Sequence, residues 1–116
     1  MAGSRRSKYG AVKTTVDGIQ FDSKAESRRY AHLKLLERAG EITDLQLQPV
    51  FELAPSVKYK NAKRATPALR YCADFCYVNR SGEKIFEDCK GMINRVYLVK
   101  KHLVMAKFGI EIVEVK

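Results

Sequence analysis

The sequence predicts a small α/β domain, a mixed β-sheet flanked by two helices and preceded by a basic arm and a short hairpin. Three observations predict it. Two stretches carry apolar residues at helical spacing between recognisable caps, and four runs alternate as strands do. The order of these elements is helix, strand, strand, strand, helix, strand. The chain of 116 residues is one domain's length, and its 46% hydrophobic content is enough to build a core despite 30% charged residues. We divide it into a basic arm, residues 1–13, and a single domain, residues 14–116.

The hairpin comes first. Thr14-Thr15-Val16 and Ile19-Gln20-Phe21 flank Asp17-Gly18, a dipeptide suited to a two-residue turn. Ser23 then offers an N-cap with Glu26 at capping-box spacing, and the helix runs to about Ala39 before Gly40. Its apolar stripe is Tyr30, Leu33 and Leu36, backed by Ala31 and Leu35. Leu45 to Leu53 reads as one strand with Leu45, Leu47, Phe51 and Leu53 on a common face. Pro49 inside it argues for a sheet edge, because proline has no N–H to donate. After a connection of about fifteen residues, long enough to suggest a functional loop, Leu69–Asn79 and Glu83–Lys90 form a hairpin around Arg80-Ser81-Gly82. Asn94 to Phe108 is the second helix and Ile110 to Val115 the last strand. A helix between two strands makes a crossover, so the last two strands run parallel.

Charge narrows the function. There are 22 Lys and Arg against 13 Asp and Glu, a net charge of +9. Residues 1–16, 53–73 and 89–110 contain no acid and hold 14 of the 22 cations. Three such stretches favour a surface that meets a polyanion, nucleic acid above all. No apolar run approaches the roughly 18 residues of a membrane span, and neither helix pairs a broad apolar face with a uniformly basic one, so no membrane partner is expected. The basic N-terminus has no apolar segment behind it, so no secretory leader is expected. Cys72, Cys76 and Cys89 lack the short spacings of metal motifs and read as free thiols in a reducing compartment.

In so basic a chain the acids are the informative residues. A three-residue turn at Arg80-Ser81-Gly82 places Asn79 opposite Glu83, and counting back places Asp74 opposite Asp88. Facing residues bring their Cβ atoms to about 5 Å. Lys90, two residues past Asp88, shares its face. Two carboxylates that close raise each other's pKa unless a cation lies between them. Their simplest joint use is to hold a divalent ion, and oxygen ligands favour Mg²⁺ or Mn²⁺. Glu26, four and seven residues before Tyr30 and Leu33, faces the sheet and has two readings: a member of this cluster, or the second half of the capping box.

Phe21-Asp22-Ser23-Lys24-Ala25-Glu26, Gln48-Pro49, Ala73-Asp74-Phe75 and Glu87-Asp88-Cys89-Lys90-Gly91 together resemble the PD-(D/E)XK nuclease superfamily. The likeness runs from about Lys8 to the C-terminus, and is greatest to small nucleases of phages and prophages related to Holliday-junction resolvases. It implies a restriction-endonuclease-like αβββαβ core and a Mg²⁺-dependent (or Mn²⁺-dependent) endodeoxyribonuclease, nicking or junction-resolving, in the cytoplasm of a bacterial host. Asp74 and Asp88 would hold the metal, Lys90 would be the motif lysine, Glu26 the helix glutamate and Gln48 an extra site residue. The motif's proline is missing, Cys72 and Ala73 standing before Asp74. Glu87 is the neighbouring acid, but alternation points it away from Lys90.

Duplex or branched DNA would be held by Arg5 and Arg6 of the arm, Lys58, Lys60, Lys63 and Arg64 of the long loop, and Arg95, Lys100 and Lys101 of the second helix. Such contacts position a backbone without reading sequence. Resolvase analogy also suggests a homodimer. The alternative is a basic nucleic-acid-binding module without catalysis, in which Asp74, Asp88 and Lys90 form only a cross-strand ion-pair set.

Overall fold

The structure, a computed structural model, describes residues 13–90 and 92–116. Its elements are β1 (Thr14–Val16), β2 (Ile19–Phe21), α1 (Lys24–Arg38), β3 (Ile42–Leu47), β4 (Val50–Ala54), β5 (Leu69–Cys72), β6 (Phe75–Asn79), β7 (Lys84–Cys89), α2 (Arg95–Phe108) and β8 (Ile112–Val115). A four-stranded mixed sheet runs β3-β6-β7-β8, antiparallel except for the parallel β7–β8 pair. The α/β class, the parallel crossover and the edge position of β3 follow the expectation.

Local signals explain most boundaries. Asp17 and Gly18 both have positive φ, 52° and 76°, as the two-residue turn between β1 and β2 requires. Ser23 Oγ accepts the Glu26 N–H at 3.2 Å and starts α1. Asn94 Oδ1 accepts the Tyr97 N–H at 2.8 Å and starts α2, which Gly109 ends in the left-handed conformation. In the β6–β7 turn the Asn79 side chain accepts the N–H groups of Ser81 and Glu83. Phe75 pairs with Glu87 and Cys76 with Phe86, the register deduced from that turn.

Two expected strands are each broken in two. Leu45–Leu53 divides at Gln48-Pro49, and Leu69–Asn79 divides at Ala73-Asp74. Pro49 cannot donate to a ladder, and Gln48 takes φ 53°. The breaks lie against each other: the Gln48 N–H donates to Asp74 O at 2.9 Å and the Ala73 N–H to Pro49 O at 3.0 Å. Beyond them β4 and β5 form a separate antiparallel ribbon. Each break also reverses which side of the strand turns inward. Leu45 packs on the α1 side, whereas Phe51 and Leu53 pack on the α2 side and Leu47 stays exposed, so the residues expected on one face do not share it.

The molecule therefore has two apolar layers, one on each side of the sheet. Phe21, Tyr30, Leu33, Ile42, Phe75 and Tyr77 fill the α1 side. Phe51, Leu53, Tyr71, Phe86, Tyr97, Val104 and Ile112 fill the α2 side with the ribbon. On α1 the inward residues are Ser27, Tyr30 and Leu33, with Leu36 partly covered. Ala31 and Leu35 face solvent, because 100° per residue carries them off the stripe; Leu35 is 60% exposed. Among the described residues no helix is long and apolar enough to cross a membrane.

Candidate functional site

The breaks that divide the strands also assemble the acids. With the ribbon bent away, a pocket of about 100 Å³ opens at the end of β3 and β6, and Glu26, Gln48 and Asp74 line it. The Glu26 N–H is capped by Ser23 Oγ while its side chain lines the pocket, so only the Ser23 half of the capping box is formed. It faces Asp74 across this pocket, and burial first, then the charges of Asp22 and Asp88, raise its pKa.

Asp74 is the centre of the array. Its carboxylate accepts the Cys89 N–H at Oδ2, 2.6 Å away, beside Asp88 on β7. Burial, followed by the charges of Asp88 and Glu26, pushes its pKa to about 8, against the favourable effect of the Cys89 amide. Asp88 is 3% exposed and projects to the α2 side, where the Tyr71 hydroxyl donates to Oδ2. Lys90 Nζ stands 3.7 Å from the same oxygen and 4.6 Å from the centre of the Tyr97 ring. Tyr97 in turn donates to Glu114 Oε2 at 2.7 Å, which Lys101 also meets at 2.8 Å. Glu26 and Asp74 line one pocket, and Asp88, next to the Cys89 amide that Asp74 accepts, is paired with Lys90.

Glu87 has a different role. Only 1% exposed, it projects to the α1 side and is held in a two-pronged pair with Arg29, Nε to Oε1 at 2.8 Å and Nη2 to Oε2 at 2.6 Å. The Tyr77 hydroxyl donates to it as well. It ties α1 to the sheet, on the face opposite Lys90.

Sequence reasoning missed Tyr71 and Tyr97, which hold Asp88 and Lys90, and the Arg29 partner of Glu87. Tyr71 lies two residues from Ala73 and reads as core; nothing local signals that its hydroxyl meets a carboxylate from another strand. Of the expected nucleic-acid contacts, Lys58, Lys60, Lys63 and Arg64 are exposed on the β4–β5 connection. That loop is closed by the Thr66 N–H on Val57 O at 2.6 Å and by Lys58 Nζ on Ala62 O at 2.8 Å. Arg95 is exposed at the start of α2, Lys100 is half-buried, and Lys101 has its charge partnered by Glu114. Arg5 and Arg6 lie outside the described residues. The three cysteines are free, and Cys76 is fully buried.

The donor set can be tested against a metal ion. Among the described residues no group of three or more His, Cys, Asp and Glu side chains is arranged to hold one. A closed protein cage of the zinc type needs such a group. Mg²⁺ asks for less: one or two carboxylates, with water and substrate phosphate completing its octahedron. Asp74 and Asp88, neighbours across the hairpin and largely buried, fit that pattern.

A protein-family sequence model described as "Protein of unknown function (DUF1064)" matches residues 6–115. No curated protein and no solved structure matches the chain.

Proposed function

We propose that this chain, which belongs to the DUF1064 family of proteins of unknown function, is a metal-dependent DNA endonuclease of the PD-(D/E)XK type. The observation that supports this most is the gathering of Glu26 and Asp74 on one pocket, with Asp88 and Lys90 paired beside it, in a domain of net charge +9. Acids grouped in a basic protein repel the phosphate that the rest of the surface attracts. A divalent cation between Asp74 and Asp88 removes that conflict.

Hydrolysis of a phosphodiester needs a positioned water, a counter-charge for the phosphorane and a route for the leaving oxygen's proton. Asp74 and Asp88 would hold Mg²⁺ or Mn²⁺, which acidifies water and polarises phosphate when bound. Lys90, its ammonium held between Asp88 and the Tyr97 ring, places positive charge where the attacked phosphate gathers negative charge. Tyr71 keeps Asp88 in one orientation. Glu26 extends the acidic array toward the pocket mouth, where Gln48 offers an amide that donates and accepts. The exposed cations of the long loop, with Arg95 and the arm's Arg5 and Arg6, would grip the backbone without reading bases.

In this reading the substrate is duplex or branched DNA, the enzyme nicks or resolves junctions, and its setting is the bacterial cytoplasm in which a phage or mobile element acts. The decisive assay incubates the protein with supercoiled plasmid, linear duplex and four-way junction in Mg²⁺, Mn²⁺ or chelator. Metal-dependent cleavage lost in Asp74→Ala and in Lys90→Ala is the expected result. Cleavage that survives either substitution, or chelation, overturns the reading. Tight binding of all substrates without cleavage establishes the alternative, a basic binding module.

A further inference from the structure

A trough runs between α1 and the edge strand β8. The helix packs on β1, β2, β3 and β7 but not on β8. Val113, the β8 partner of Glu87, therefore lies uncovered on that side, 42% exposed. Ala25, Arg28, Arg29 and His32 share one face of α1 and make one wall, with Val115 and Lys116 opposite, around a space of about 200 Å³. A second space of about 270 Å³ shares Ala25, Val115 and Lys116 and reaches Cys89 and Lys90. Ala25 precedes Glu26, and the Cys89 amide is the one that Asp74 accepts, so the trough leads to the acidic site. Among the described residues no acidic side chain lines either space.

The helix wall is made of donors. Arg29 is held by the buried Glu87, and its Nη1 meets His32 Nδ1 at 2.9 Å. A guanidinium only donates, so Nδ1 accepts and the proton of the neutral ring sits on Nε2. Arg28 is exposed and has no acid partner among the described residues. A free guanidinium and an imidazole N–H thus stand one helical turn apart beside the apolar Val115. Neither residue lies in the acid-free stretches of the sequence, because Glu26 and Glu37 share their helix, and charge counting passes over both.

We propose that this trough is a subsite for the DNA backbone, in which Arg28 and the Nε2–H of His32 bind a phosphate of the strand that enters the acidic site. The guanidinium matches phosphate in charge and in planar geometry, the imidazole adds an oriented donor, and Val115 suits the deoxyribose. An acidic peptide is the poorer occupant, because the trough opens onto carboxylates that a phosphate approaches with a metal ion. The inference rests on the nuclease reading for where the strand leads. The trough itself needs no metal, so its test reads binding alone.

Fluorescence anisotropy with a labelled duplex, in chelator and over a range of salt, is that test. Arg28→Ala is expected to weaken binding about tenfold and to lower the slope of log affinity against log salt by about 1. His32→Ala is expected to weaken it about threefold, and His32→Gln, which keeps a donor near the place of Nε2, to recover most of that. Both side chains are exposed, so circular dichroism should be unchanged. Arg38→Ala removes the same charge about 15 Å further along α1, beyond a Debye length, and should change affinity about twofold or less. Losses at Arg28 and His32 no greater than at Arg38 overturn the proposal. Nitrogen NMR of the His32 ring separates the phosphate sources: its Nε2 signal is expected to move with duplex and not with inorganic phosphate at equal phosphate concentration. A response to inorganic phosphate as strong as that to duplex assigns the trough to a free anion and overturns the strand subsite. The expected binding pattern without cleavage in Mg²⁺ overturns the nuclease reading alone, whereas no duplex binding at all overturns both.

Discussion

Arg29→Met is the substitution that separates the structural acid of β7, Glu87, from Asp88, the one proposed to hold metal. It leaves the Glu87 carboxylate, 1% exposed, with the Tyr77 hydroxyl as its remaining partner. Removing one member of a buried pair costs about 3–5 kcal/mol, chiefly because a charge stays behind in low dielectric. Arg29 is 21% exposed and water reaches its place in part, so the lower figure applies. At 116 residues a loss of about 3 kcal/mol lowers Tm by roughly 12–15 °C. Adding Glu87→Gln removes the stranded charge yet keeps an acceptor for Tyr77, so the double variant recovers most of the loss. Urea denaturation followed by far-ultraviolet circular dichroism measures both. A loss under 1 kcal/mol for Arg29→Met, or a double variant no more stable than the single, refutes the reasoning. The functional side of the same prediction is that Glu87→Gln retains metal-dependent cleavage whereas Asp88→Asn loses it.

Further outcomes follow from other contacts. The metal-free Asp74 has a pKa raised from its ordinary value to about 8, so the folded state holds a proton that the unfolded state releases near pH 4. Its stabilising effect is complete below about pH 4 and disappears as pH rises through about 8. Metal-free Tm should therefore fall across that window, and the Tm gain on adding Mg²⁺ should be larger at pH 8 than at pH 6; a gain that shrinks with pH contradicts the assignment. Tyr71→Phe removes the hydroxyl that holds Asp88 and should weaken Mg²⁺ affinity about 10–100-fold by calorimetry, the usual effect of losing a partner that orients a metal ligand; unchanged affinity would deny Tyr71 that role. Leu33→Ala, at a fully buried site, should cost about 2–5 kcal/mol in chemical denaturation. Leu35→Ala, mostly exposed, should stay within about 0.5 kcal/mol, and a reversal of that order would mean that α1 is turned on its axis.

Much of the site was legible before the fold. The turn at Asn79–Gly82 sets the β6–β7 register, and the register places Asp74 against Asp88 and Lys90 on the face of Asp88. These steps are local, for a hairpin's pairing depends on its turn and side chains alternate strictly along a strand. Glu26 was legible only as an ambiguity, because helical spacing gives a direction and not a distance. The split strands were not legible: Pro49 warned of an irregularity, but nothing around Ala73 announced a break. The alternation simply changes phase there, from Tyr71 and Ala73 on the α2 side to Phe75 and Tyr77 on the α1 side.

The sequence by itself determined the α/β class, the element order, both helix caps, the hairpin register and the charge contrast between acids and surroundings. All of these arise from residues within a few positions of one another. Tertiary structure alone decided that the β4–β5 ribbon leaves the main sheet and that Tyr71 and Tyr97 brace Asp88 and Lys90. It also decided that Arg29 neutralises Glu87 and that Val96, Leu98, Val99 and Met105 of α2 stay exposed. Each of these depends on which surfaces meet. Periodicity marks a face as apolar, but only the packing of the whole chain settles which apolar faces are covered and which stay exposed.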